Sequence, residues 1–345
     1  MLERDKLEKI LRQTVVLNAS DLYLLPEQPP FVRVDGIPMA LDFPVSKITE
    51  LELWSNGFLT EEQRRLWTRD KTVDFSWCGL GRRWRGNVYC TRGNPAVVLR
   101  LVPKRIPTLE ELGLEHLRPL SELRHGLLLV TGYAGSGKTT TLAALLTLMA
   151  DTRPMHIVTL EDPVEYIYGS KLSIFSQREW GRDFLSFPQG IKSALRQMPD
   201  AVLVGEIRDC DTMTAALSAA ESGLLVLGTL HAPRATEAAG RAEGLFPADR
   251  RDNVRAALAA VLAGIVSERL LPALPQGRVA LTEVLLPTPA IKNMIRQGKF
   301  AQLASVMLSG EKDGMRTLAT SLQKLRQGGK ISEAVFRAVQ EDARL

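Results

Sequence analysis

Apolar positions in the first hundred residues follow two different periods. In "MLERDKLEKILRQTVVLNAS" Leu, Ile and Val recur between charges at helical spacing, which predicts an amphipathic helix stopped near Asn18. "DLYLL" and "FVRVDG" then read as short strands around a Pro-rich turn, with Asp35-Gly36 as a hairpin-type turn signal. "TVDFSW", "RWRGNVYC" and "AVVLRLVP" add further strands in which arginines and aromatic residues interleave. Residues 1–102 are therefore expected to form one α+β domain.

Three prolines and a short helical signal break this texture in "PKRIPTLEELGLEHLRPL", residues 103–120, expected as a linker. Beyond it, short apolar runs alternate with helical segments. "LLLVT" precedes a helix over 138–150, "HIVTL" one over 189–197, "AVLVG" one over 209–222, and "LLVLGTL" follows. Such alternation predicts a parallel sheet covered by helices, with residues 121–345 as a second domain. From about residue 248 the pattern becomes mostly helical.

A chain of 345 residues exceeds one ordinary core, in keeping with two domains. The net charge of +5, from 44 basic and 39 acidic side chains, suits an anionic ligand but is too diffuse to indicate nucleic-acid binding. Cys78, Cys90 and Cys210 are scattered without C-x-x-C spacing, which fits a reduced, cytoplasmic protein rather than a metal or disulfide scaffold. The start carries no uninterrupted signal-peptide core, and the apolar stretch in "AALAAVLAGIVSERLLPALP" is too short to span a membrane. Membrane association is expected only through a partner or a surface.

The chemistry begins at "GYAGSGKTT", residues 132–140, between an apolar run and a helix. Gly132, Gly135, Ser136, Gly137, Lys138, Thr139 and Thr140 match the phosphate-loop pattern in the setting it requires. Glycines let backbone N–H groups converge on phosphate oxygens, Lys138 adds a mobile positive charge, and Thr139 offers a hydroxyl oxygen to Mg²⁺. Glu161 and Asp162 in "HIVTLEDPVEY" and Glu206 in "AVLVGEIRD" follow apolar runs, so they belong at C-terminal strand ends, where α/β sheets gather ligands. One carboxylate can serve Mg²⁺ and another the attacking water; the spacing does not say which is the base. Asp162 before Pro163 also suits a turn. His231, after "LLVLGTL", falls at a further strand end and can hydrogen-bond to phosphate or carboxylate. His116, His125 and His156 offer no metal-ligand spacing.

These elements together closely resemble the PilT-like branch of the type II/type IV secretion ATPases, hexameric motors that retract type IV pili. The resemblance runs from "NASDLYLLPEQPPFVRVDG" to "GGKIS" and includes the phosphate loop, the aspartate box "TLEDPVEY", the Walker B-like "LRQMPDAVLVGEIRD" and the histidine box "AAESGLLVLGTLHA". It implies a RecA-like P-loop ATPase core with an N-terminal PAS-like α+β domain and a helical C-terminal part, using ATP and Mg²⁺. Glu161 takes the position of the catalytic glutamate, Glu206 that of the Walker B glutamate at Mg²⁺, and His231 that of the histidine-box residue. Arg82, Arg85, Arg92 and Arg100 match N-terminal arginines that reach nucleotide phosphates, in some states across subunits.

"TPAIKNMIRQGK", residues 288–299, resembles the motif of the retraction branch. The assembly ATPases carry a four-cysteine zinc element, for which three cysteines do not suffice. The implied partners are five further copies of the chain in a homohexamer and an inner-membrane platform protein, with a pilus assembly ATPase or a second retraction ATPase beside them. A secretion or conjugation ATPase and an accessory paralogue are the alternatives. Tyr133-Ala134, Met198, Tyr23, Tyr168 and Pro233-Arg234 depart from the usual family residues and mark a diverged member.

Overall fold

A computed structural model describes residues 2–34, 36–102 and 105–342. The chain divides into two compact units, Met1–Arg105 and Ile106–Leu345.

In the first unit the elements are α1 (Leu2–Val16), β1 (Asp21–Leu24), β2 (Phe31–Val34), β3 (Ile37–Ala40), α2 (Ile48–Phe58), α3 (Glu61–Asp70), β4 (Thr72–Gly79), β5 (Arg82–Thr91) and β6 (Asn94–Leu101). The strands form one antiparallel sheet in the order β3-β2-β1-β6-β5-β4. Its period-2 alternation sends Leu22, Leu24, Val32, Trp84, Val88, Val97 and Leu99 into a core shared with Ile10 and Leu11 of α1 and Leu51, Trp54 and Phe58 of α2. The intervening positions place Arg33, Asp21, Arg100 and Arg85 in one cross-strand row. The expected turn at Asp35-Gly36 involves Asp35, which lies outside the described residues.

The second unit contains β7 (Gly126–Thr131), α4 (Lys138–Thr152), β8 (His156–Glu161), β9 (Ile174–Glu179), α5 (Phe187–Leu195), β10 (Ala201–Val204), α6 (Cys210–Glu221), β11 (Leu225–Leu230), α7 (Ala235–Glu243), α8 (Arg251–Val261), β12 (Leu262–Pro272), β13 (Arg278–Leu285), α9 (Pro289–Arg296), α10 (Leu303–Ser309), α11 (Leu318–Gln327) and α12 (Glu333–Asp342). They build a seven-stranded sheet, β13-β12-β7-β11-β10-β8-β9, parallel except for the antiparallel edge strand β13. Strands β7, β10 and β11 are buried along their whole length, which is why they read as unbroken apolar runs. Leu127 and Leu129 of β7 enter a core with α5, α6 and α8, while Leu128 and Val130 enter a second core with α4 on the opposite face.

Two expectations are corrected. The stretch read as a linker joins the second core from Ile106 onward: Leu109, Leu114, Leu117 and Leu120 are buried with α4 residues. Its prolines prevent a regular α-helix, but a 3₁₀ segment, Glu115–Glu122, accommodates Pro119 and still presents the leucines inward. Pro103 and Lys104 lie outside the described residues. The region after residue 248 is not mostly helical until Pro289, because β12 and β13 form a long hairpin closed at Gly277, where φ is 87°. Helix α8 runs into β12 at Leu262 without an intervening Gly or Pro, so nothing in the Ala-rich run marks the change of period. Among the described residues no helix is long and apolar enough to cross a membrane.

Candidate functional site

The phosphate-loop residues join β7 to α4. Gly132, Gly135 and Gly137 have φ of 145°, 74° and 105°, in the region that disfavours a Cβ. At Gly135 the surroundings are open, whereas a Cβ on Gly137 would stand 2.3 Å from Glu268 Oε1. Lys138 Nζ donates to the carbonyls of Gly132 (3.0 Å) and Tyr133 (2.8 Å), so its ammonium already lies across the loop. Burial pulls this ammonium below its ordinary value, while Glu206, Glu268 and Glu165 act in the opposite direction. Ser136 Oγ is buried without a hydrogen-bond partner among the described residues. Thr139 is half-buried in the first turn of α4. The Thr140 hydroxyl instead pairs with the Tyr166 hydroxyl at 2.9 Å, tying α4 to the aspartate box. An orphaned hydroxyl, a glycine cradle and a movable ammonium make a donor set suited to polyphosphate.

Parallel strands bring the acidic candidates to the same sheet end. Glu161 closes β8 and is only 3% exposed. Its carboxylate accepts from Thr159 Oγ1 at 2.7 Å, from the Glu165 N–H at 3.4 Å and from Gln177 Nε2 at 3.5 Å. Burial pushes the carboxyl up to about 7, against those hydrogen bonds and with help from the Glu165 charge. Such a group is tuned for proton transfer near neutrality.

Glu206, two residues past β10, is tuned the opposite way. Its Oε2 accepts from Arg208 at 2.6 Å, and its Oε1 lies 2.8 Å from Nε2 of His231, one residue past β11. Burial raises the carboxyl, but Arg208 and then His231 outweigh it and hold it below its ordinary range. An ionised carboxylate suits a cation, and its bond to His231 links two of the expected motifs directly. Asp209 caps α6, accepting from the Thr212 N–H at 2.7 Å, while Asp162 is exposed in the bend after β8, just before the buried Pro163.

The arginines of the first unit do not form one cluster. Arg85 and Arg100 are cross-strand partners, and Arg100 Nε donates to Asp21 Oδ1 at 2.8 Å. Like charges placed directly opposite one another disfavour pairing, so Asp21 offsets a cost that the sheet otherwise carries. Arg82 reaches the Val102 carbonyl at 3.5 Å. Arg92 sits in the turn joining β5 to β6 with φ of 50°, seven residues along from Arg85 and so about 23 Å away at the usual strand rise.

Sequence reasoning also missed Glu268, Thr159 and Gln177. A charge inside the apolar run "GIVSERLLP" was the available signal for Glu268.

The loop after a central strand, with acids at neighbouring strand ends, defines a P-loop ATPase of RecA-like α/β architecture. Residues 83–337 match the Type II/IV secretion system protein family. The chain is 40% identical to the type IV pilus retractation ATPase PilT of Pseudomonas aeruginosa over 316 residues, covering 91% of this chain and 92% of that one. It is 38% identical to a twitching motility protein of Neisseria gonorrhoeae over 335 residues, 96% of this chain and 90% of that one. The crystal structure of the pilus retraction motor PilT with bound ADP superposes with a TM-score of 0.86 at 39% identity, covering 95% of each chain. The chain thus belongs to the type II/IV secretion system family and, within it, to the PilT/PilU-like P-loop motor ATPases.

Proposed function

We propose that the protein is a homohexameric motor that couples Mg²⁺-ATP hydrolysis to retraction of a type IV pilus or a similar filament. The observation that carries the chemical part is the opposite tuning of two carboxylates at one sheet end. Glu161, raised to about 7, can take a proton from water, and Glu206, held ionised by Arg208 and His231, can serve the metal together with Thr139. Bound Mg²⁺ supplies neutralisation of charge on the β- and γ-phosphate oxygens. The loop glycines, Ser136 and Lys138 hold the phosphates, and His231 can report a change at the nucleotide through its contact with Glu206.

The filament assignment rests on PilT-like similarity across nearly the whole chain together with the 288–299 motif. In this reading the first unit is a PAS-like domain whose Arg82, Arg85, Arg92 and Arg100 are the candidates for reaching nucleotide phosphates across a subunit boundary. The ring works in the cytoplasm against an inner-membrane platform protein, with an assembly ATPase or a second retraction ATPase as neighbours. Purified wild type and Lys138→Ala should bind and hydrolyse ATP very differently, the variant losing most of its turnover. Equal rates would remove the site. Lost secretion with normal piliation on gene deletion would favour the secretion alternative.

A further inference from the structure

Among the buried acids that the mechanism above does not use, one stands against the phosphate loop. Glu268 lies on β12, one position beyond the last residue of that strand that pairs with β7, and is 4% exposed. Its Oε2 accepts from Thr141 Oγ1 at 2.7 Å, in the first turn of α4. Its Oε1 lies 2.3 Å from where a Cβ on Gly137 would stand, and its carbonyl oxygen lies 2.3 Å from the corresponding point on Gly132. The residue therefore touches the phosphate loop at its first and last glycines and anchors the helix that follows. We propose that Glu268 is a positioning residue of the phosphate loop, fixing its height through Thr141 and Gly137 while opposing, by its own charge, the negative charge of the bound phosphates.

The surroundings make that charge conditional. Burial pushes the Glu268 carboxyl up to about 7, with the Thr141 hydrogen bond and then the Lys138 charge pulling the other way. Lys138 is the charged group facing it from α4. Across β13 its register partner is Thr282, whose hydroxyl pairs with His116 at 2.8 Å. Burial, followed by the charges of Arg316 and Lys324, pulls that imidazole down to about 3, so it is neutral at any working pH. Below pH 7 the carboxyl is mostly protonated and supports the loop without repelling phosphate. Above it, a negative charge stands behind the loop, and nucleotide binding must either push it back to the protonated form or work against it.

This inference rests on the phosphate-loop assignment, so the experiment includes a control for each. Binding of a non-hydrolysable ATP analogue with Mg²⁺ is measured from pH 6 to 8.5 for the full chain and for Glu268→Gln, Glu268→Ala and Lys138→Ala. The Gln side chain keeps the shape and still accepts from Thr141, but it cannot ionise. At pH 8 Glu268→Gln should bind about tenfold tighter than wild type, the size of a unit-charge repulsion at partial burial. The two should converge below pH 6.5. Taking their difference removes pH effects common to both proteins, including those of Glu161 and of the nucleotide. Glu268→Ala, lacking the support as well as the charge, should bind more weakly than Glu268→Gln at every pH, with thermal unfolding confirming that it is folded. Parallel pH courses for wild type and Glu268→Gln would overturn the electrostatic role, and equal affinities for the Gln and Ala variants would overturn the positioning role. Undiminished binding by Lys138→Ala would instead show that the site itself is misplaced.

Discussion

Glu161 and Glu206 are chemically the same side chain, and their surroundings give them different properties. The first is buried among neutral donors, and the second is clamped by a guanidinium and an imidazole. Sequence position left open which of them is the base; the surroundings favour Glu161. If its ionised form takes the proton, turnover should rise with pH through about 7 and level off above it. Glu161→Gln should bind ATP but lose the greater part of its rate, and the remaining activity should not show that rise. Glu206→Gln should need more Mg²⁺ to reach half its maximal rate, because an amide is a poorer cation ligand. Rates measured over pH and Mg²⁺ separate the two. A Glu161→Gln variant with the wild-type pH course would contradict this division of labour.

At the level of elements, the short strands were legible because burial on both faces leaves unbroken apolar runs, as in "GLLLVT" and "AVLV". Strand β9 was not legible, since edge position allows the polar sequence "IFSQRE". The β12–β13 hairpin was hidden by its junction with α8. The Thr141–Glu268 bond spans 127 residues, so no local window could contain it.

Helix α9 falls within the 288–299 motif. Thr288 caps it by accepting from the Ile291 N–H at 3.4 Å, Pro289 starts it, and Ile291 and Ile295 are fully buried. Its Arg296 is exposed, but Lys292 is half-buried and donates to the Ala260 carbonyl of α8 at 3.4 Å, so of the two charges Lys292 is the more constrained. Replacing both with Ala should change stability by about 1 kcal/mol or less and spare ATP hydrolysis in solution. If α9 transmits motion, the same variant should fail to complement a retraction-defective strain; full complementation would leave it as a packing helix.

For the whole molecule, the two-unit division and the nucleotide site have different standing in the sequence. The loop and its acidic partners could be read from type and spacing, because phosphate chemistry demands them. The extent of the linker could not, since the stretch after Arg105 carries a buried leucine set rather than a free connection. If arginines of the first unit serve a neighbour's phosphate, as proposed, the chains must assemble, and a closed ring is the arrangement expected. Light scattering at increasing protein concentration, with a non-hydrolysable ATP analogue, should give the mass of six chains. A monomer throughout would contradict the ring.

The most direct measurement of the central claim is the number of surface pili on cells of the native host in which the chromosomal gene encodes Glu161→Gln. This isosteric change stops the proposed base while keeping the nucleotide site filled. The account expects cells with more pili than wild type and no twitching, because filaments are still assembled but not withdrawn. Normal piliation with normal twitching would contradict it.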